Sequence, residues 1–199
     1  MNRIDEFVHI GYHKIQKPRI NNPFGPVLIG DDVIIRNGGI IYSGCQIDDR
    51  TMLGHYVVMR DGTKIGKDCM VGHHVVFEGA TEVGNFTAIH SQCHVSSYSE
   101  IGSYVFMGPM VVSTNDPVMN HMRKNIKIVY KGITIHHGAR IGGGCVLMPG
   151  ITIGREALIG AGSLVTKDIP DYAIVYGSPA KVMGKVSDDS LLKNNGIDI

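Results

Sequence analysis

Tryptophan is absent from this chain, and aromatic residues make up only 7% of its 199 positions. A thick core built around large rings is therefore not expected. Excess charge is lacking too: 19 Lys and Arg against 18 Asp and Glu leave a formal net charge of +1. No global field draws the chain to nucleic acid or to a membrane surface. No run of eighteen apolar residues occurs, so no membrane-spanning helix is expected. The stretch MNRIDEFVHIGYHK carries charges throughout and has no apolar signal-type segment, and the expected location is cytoplasmic. Cysteine is sparse, at 4 residues, which leaves disulfides or a metal to be weighed against placement.

Glycine is what the chain has in quantity, at 26 residues. That composition suits many tight turns around a slim core, and the length fits one domain. The turns are periodic. From Ile29 an aliphatic residue or Phe falls on every sixth position: Ile35, Ile41, Ile47, Leu53, Met59, Ile65, Val71, Phe77, Val83, Ile89, Val95, Ile101, Met107. The beat stops at Ser113 and resumes at Ile135, Ile141, Leu147, Ile153, Ile159 and Val165.

A period of six is neither that of a helix nor that of a single strand, but it fits short strands laid end to end with a corner after each. The residue after the beat is often Gly, as at Gly54, Gly72, Gly84, Gly102, Gly108 and Gly142, which suits a tight corner. Four residues after each beat runs a second series of small or β-branched residues, including Val33, Thr51, Val57, Thr63, Val75 and Val105. All four cysteines, Cys45, Cys69, Cys93 and Cys145, belong to that series. They are therefore expected to be small buried fillers, not ligands or bridges.

Three six-residue sides make a coil of eighteen. The repeats predict about seven stacked coils of a parallel β-helix over residues 27–186, with a protruding loop at 113–131. Residues 1–26 read as a lead-in. Residues 187–199 read as a C-terminal tail with a short helix that begins at Ser187.

With the closing motifs IGAGS, VTKDIP and GSPAK in that order, the chain resembles the hexapeptide-repeat acyltransferases over about three quarters of its length. The resemblance implies a left-handed β-helix and a homotrimer with acetyl-CoA bound between neighbouring prisms. It also implies transfer of an acetyl group to an amine or hydroxyl of a small sugar substrate. Within the family the layout is similar to galactoside and maltose O-acetyltransferases. In the STND stretch it is similar to N-acetyltransferases of nucleotide-linked amino sugars, enzymes of surface-polysaccharide biosynthesis.

By that resemblance Gly143 and Ala161 line the pantetheine, and Thr166, Lys167 and Lys181 meet the distal end of CoA, where phosphates call for cations. In the loop, Asp116 stands where the galactoside type carries the His of its GHPV general-base motif. A hydroxyl acceptor needs a well-matched base, whereas a sugar amine is nucleophilic once neutral, so the missing His favours N-acetylation. Asp116 is assigned to the amine, with Asn115 on the sugar and His121 beside the acceptor. Arg123, Lys124, Lys127 and Lys131 make the loop basic.

Among ten histidines, His90 replaces a Gly of the corner stack and is the candidate base. A related amino-sugar pattern, Glu-His-acidic-Cys, would place its His at Ser91, which is therefore assigned to the acceptor. His73, His74, His94, His136 and His137 are expected at the surface or in trimer contacts. Gly108 is expected to offer backbone to a developing oxyanion. No metal is expected: a carbonic-anhydrase type on this fold pairs ligands as His-x4-His, a spacing this chain lacks. A non-catalytic scaffold and an O-acetyltransferase are the alternatives.

Overall fold

A computed structural model describes residues 1–12, 25–119 and 121–197. It is a three-sided parallel β-helix. One full coil consists of Met52–Leu53, Val58–Met59 and Lys64–Ile65, two residues per side with a corner after each. Each strand pairs in parallel with the one eighteen residues on, Met52 with Met70, Val58 with Val76 and Lys64 with Glu82. The stacks form sheets of ten, eight and seven strands.

The described lead-in adds to the stack: Arg3–Ile4 pairs with Ile34–Ile35, and His9–Tyr12 pairs with Ile40–Tyr42. The result is about eight turns. The remainder of the expected lead-in, residues 13–24, lies outside the described residues. At the other end Ala173–Gly177 turns back on Ala180–Lys185 as an antiparallel hairpin. The tail forms two short 3-10 turns, Asp188–Ser190 and Leu192–Asn195. Ser187 makes no side-chain cap there; buried Glu156 holds this segment instead, accepting the Leu192 N–H at 2.9 Å.

Both periodic series point inward. Ile35, Ile41, Leu53, Phe77, Ile89, Met107 and Ile141 are fully buried, as are Val33, Thr51, Val57 and Thr63. The cysteines are buried and free, each Sγ directed at a carbonyl, as in Cys93 to Gly108 O at 3.1 Å and Cys145 to Gly160 O at 3.2 Å. Burial pushes the Cys45 and Cys93 thiols up to about 11, so they remain protonated and unreactive at neutral pH.

The corner glycines answer a different need from the one expected. A Cβ on Gly72 would lie 2.4 Å from the backbone N of Ser91, and one on Gly108 would lie 2.6 Å from the N of Gly143. Close approach of successive coils excludes the side chain. The left-handed corner residue comes two positions later and is often not Gly, as at Arg50 and Asp68 with φ of 57° and 56°.

Candidate active site

The corners between the ten- and eight-stranded sheets form one edge of the prism. Along it, backbone N–H groups are satisfied by side chains one coil on: His55 N–H by His73 Nδ1 and His73 N–H by Ser91 Oγ, both at 3.0 Å. This ladder ends at Ser91, because the next positions are Pro109, Gly143 and Ala161, which carry no acceptor side chain. Among the described residues the N–H groups of Ser91, Gly143 and Ala161 have no hydrogen-bond partner. A row of free backbone donors beside small residues fits an extended chain of amides such as pantetheine.

His90 lies on this edge, half-buried, with its ring tilted against Phe106 at a centroid distance of 4.9 Å. Gly108 does not offer its N–H to an oxyanion: that group donates to Ile141 O at 2.7 Å. Cys93, just beneath the edge, is a protonated core thiol and no nucleophile. Tyr176 of the hairpin lies so close over Gly160 that a Cβ there would meet its ring. Lys181, opposite Tyr176 in the hairpin, is exposed.

The corners between the eight- and seven-stranded sheets form a second edge, and the loop leaves from it. Ser113, where the aliphatic beat fails, is still inside the prism: it pairs with Leu147 and is buried. Its Oγ accepts the buried Ser96 N–H at 2.8 Å and lies 3.0 Å from Ser96 Oγ. The excursion is therefore narrower than the pattern suggests. Its neck is closed by Lys131 N–H donating to Asn115 O at 2.9 Å.

Asp116 Oδ1 accepts the N–H groups of Val118 and Met119 at 2.9 and 2.8 Å, shaping the first turn of the loop. His121 is exposed, and so are Thr166 and Lys167, which occupy the same edge further along. A cleft of about 780 Å³ opens between this edge and the loop, lined by Glu78, His94, Ser97, Asn115, Asp116 and Met148 among others. Among the described residues two carboxylates line it and no Lys or Arg does.

The expected site residues thus divide between two edges. His90, Ser91, Gly143 and Ala161 share the first; Asn115, Asp116, Thr166 and Lys167 share the second, with the eight-stranded sheet between them. One chain alone does not bring His90 to Asp116. Glu78 and His94 line the cleft, although sequence reading placed His94 only at the surface or in a trimer contact and assigned Glu78 no role. Their signal is visible only with the eighteen-residue stagger laid out: His94 then interrupts an aliphatic row of Val58, Val76, Val112, Val146 and Leu164. Among the described residues no group of three or more His, Cys, Asp or Glu could hold a metal ion.

The description "Bacterial transferase hexapeptide (six repeats)" matches residues 44–79 and 132–167. The chain is similar to a galactoside O-acetyltransferase of Lactococcus lactis subsp. lactis (strain IL1403), 39% identical over 90 residues, 44% of each protein. It is 52% identical over 52 residues to a dTDP-3-amino-3,6-dideoxy-alpha-D-galactopyranose 3-N-acetyltransferase of Aneurinibacillus thermoaerophilus, covering 26% of this chain and 27% of that one. The chain thus spans less than half the length of these curated relatives. The crystal structure of a maltose O-acetyltransferase from Clostridium difficile 630 superposes with a TM-score of 0.55 at 30% identity, over 62% of this chain and 70% of that one. The repeat, the prism it builds and these likenesses agree: the chain belongs to the bacterial hexapeptide-repeat transferase family.

Proposed function

We propose that the protein is an acetyl-CoA-dependent N-acetyltransferase whose acceptor is an amino sugar, carried on a nucleotide. The observation that carries this reading is the cleft under the loop, lined by Asp116 and by Glu78, which Arg60 pairs from behind, with no Lys or Arg among the described lining residues. Such a cleft suits an amine better than a phosphate. The nucleotide phosphates would instead face the exposed cations Arg123, Lys124 and Lys127 further along the loop. The 52% identity with the dTDP-amino-sugar relative supports the same reading.

Acetyl-CoA would lie along the first edge, its amides bonded by Gly143 and Ala161 and its phosphates near Lys167 and Lys181. Because the candidate residues sit on two edges of the prism, the complete site lies between neighbouring copies in a homotrimer, in the cytoplasm. His90, on the cofactor edge, then faces the thioester from one copy while the loop of the next presents the acceptor.

O-acetylation of a sugar is the second reading, favoured by the 39% identity with the galactoside relative. An acetyl-transfer assay on nucleotide-linked amino sugars and on free galactosides and maltose separates the two. Turnover of the amino sugars at rates at least tenfold above the free sugars is the expected result. Robust turnover of plain galactosides alone would overturn the N-acetyl reading.

Asp116→Asn and Asp116→Ala belong in the same assay. Asn keeps the acceptor for the Val118 and Met119 N–H groups while removing charge, so it should raise KM and leave the loop intact. Ala should also make the loop easier to cleave in limited proteolysis.

A further inference from the structure

We propose that His94, oriented by Glu78, takes the proton that an ammonium-bearing acceptor must lose before it attacks the thioester. This rests on the amine reading above and adds to it a base, and a reason for the acidic cleft.

His94 projects from the outer face of the eight-stranded sheet between Val76 and Val112, its paired neighbours in the coils on either side. Packing would be served there by another Val; an imidazole serves chemistry. Glu78 approaches from the corner one coil back, with Oε1 3.9 Å from His94 Nε2. Its other oxygen, Oε2, is held by Arg60 Nη1 at 2.6 Å. Arg60 thus fixes the carboxylate with one oxygen turned toward the imidazole. At 3.9 Å the contact is electrostatic and not a hydrogen bond, and it stabilises positive charge on the ring as a proton arrives. The groups facing His94 are therefore Glu78, with Arg60 behind it, and Asp116 across the cleft; the paired valines carry no charge.

A sugar amine near neutral pH is largely ammonium, which has no lone pair to donate. The acidic lining gathers the cation, and its first proton passes to His94. The neutral nitrogen then attacks the acetyl carbonyl carbon. As the new N–C bond forms, the C–S bond breaks and the thiolate leaves with the electron pair. The second N–H proton goes to the thiolate, giving the acetamide and CoA thiol, and the imidazolium returns its proton to solvent. His94 touches the acceptor and is catalytic; Glu78 acts through it and is a positioning residue.

The test compares wild type, His94→Gln, His94→Val and Glu78→Gln on a dTDP-linked amino sugar, following kcat/KM from about pH 6 to pH 9. Val completes the aliphatic row and so keeps the fold if Gln does not; melting temperature checks both. Loss of the base should lower kcat/KM about 10²-fold at neutral pH. The deficit should shrink as pH rises and the ammonium loses its proton unaided. Glu78→Gln should lose about tenfold and move the acidic limb of the profile. In calorimetry without acetyl-CoA, the free amino sugar should bind more tightly than its N-acetylated product, and Glu78→Gln should erase that margin. Folded His94 variants with the wild-type rate and pH profile would overturn the proton role and leave the amine reading standing. A wild-type protein that acetylates hydroxyls and no amines would overturn both.

Discussion

His73 carries the backbone of His55. Its Nδ1 accepts the His55 N–H at 3.0 Å, and the two rings stack with centroids 5.2 Å apart. The ring is therefore in the tautomer with its proton on Nε2. Removing the acceptor with His73→Ala should lower stability by about 0.5–1 kcal/mol in urea denaturation, since the freed N–H can reach water. His73→Asn should recover most of that loss. Asn85 already does the same task on another edge, accepting the Lys67 N–H at 3.0 Å.

Ser113 offers a sharper test, because the repeat itself would ask for Val at that position. Ser113→Val restores the sequence pattern and deprives the buried Ser96 N–H of its acceptor. An orphaned buried donor costs about 1–3 kcal/mol, more than two extra methyl groups return in a closed core. Denaturant midpoints should show the pattern-conforming variant to be the less stable one.

Two glycine-to-alanine changes should separate close packing from backbone conformation. Gly72→Ala places a methyl 2.4 Å from Ser91 N and 2.8 Å from His90 C, so neighbouring backbone must move. A loss of about 1–3 kcal/mol is expected, and the shifted coil, which carries the proposed cofactor edge, should also weaken acetyl-CoA binding. Gly144→Ala meets open space but sits at φ of +70°. It should cost about 1–2 kcal/mol through backbone strain alone and leave coil spacing unchanged. Thermal melts with and without acetyl-CoA read both effects.

The buried thiols set an alkaline limit. Cys45 and Cys93 are raised to about 11 by burial, against about 8.5 in an unfolded chain. A raised folded value stabilises fully below the unfolded one, and that contribution is lost as pH rises through the folded one. Stability should therefore fall between about pH 8.5 and 11, and the double variant Cys45→Ala, Cys93→Ala should flatten this slope. Native thiols should also react with a labelling reagent far more slowly than the denatured chain does.

The prism was legible from the residues because each coil repeats one demand, a small inner corner and an aliphatic wall, so that Leu53, Val71 and Ile89 announce one another. The exit of the loop was less so, since Ser113 keeps its place through hydroxyl bonds that no hydrophobic pattern records. Left-handed corners at Arg50 and Asp68 left no trace either: the coil-to-coil ladder and the Arg50 to Asp68 bond, 2.7 Å from Nε to Oδ1, outweigh local preference. In the candidate site, Gly143 stood out through IGGG and Ala161 through IGAGS. Glu78 and His94 did not, because their meeting depends on register between coils and not on adjacency in the chain.

The neck at Asn115 and Lys131 also bears on how the molecule can change. Across the excursion Glu100 pairs with Thr134 and Val112 with Val146, partners 34 residues apart where an uninterrupted coil such as Met52 to Met70 has 18. The detour is thus neutral to the frame: it departs and rejoins at one corner, and the coils next above it stay in register, Arg140 with Leu158 and Val146 with Leu164. Lengthening such a segment twofold costs only about 0.6 kcal/mol in closure entropy. The loop can therefore be exchanged as a cassette, by evolution or by grafting, on a scaffold that does not register the replacement.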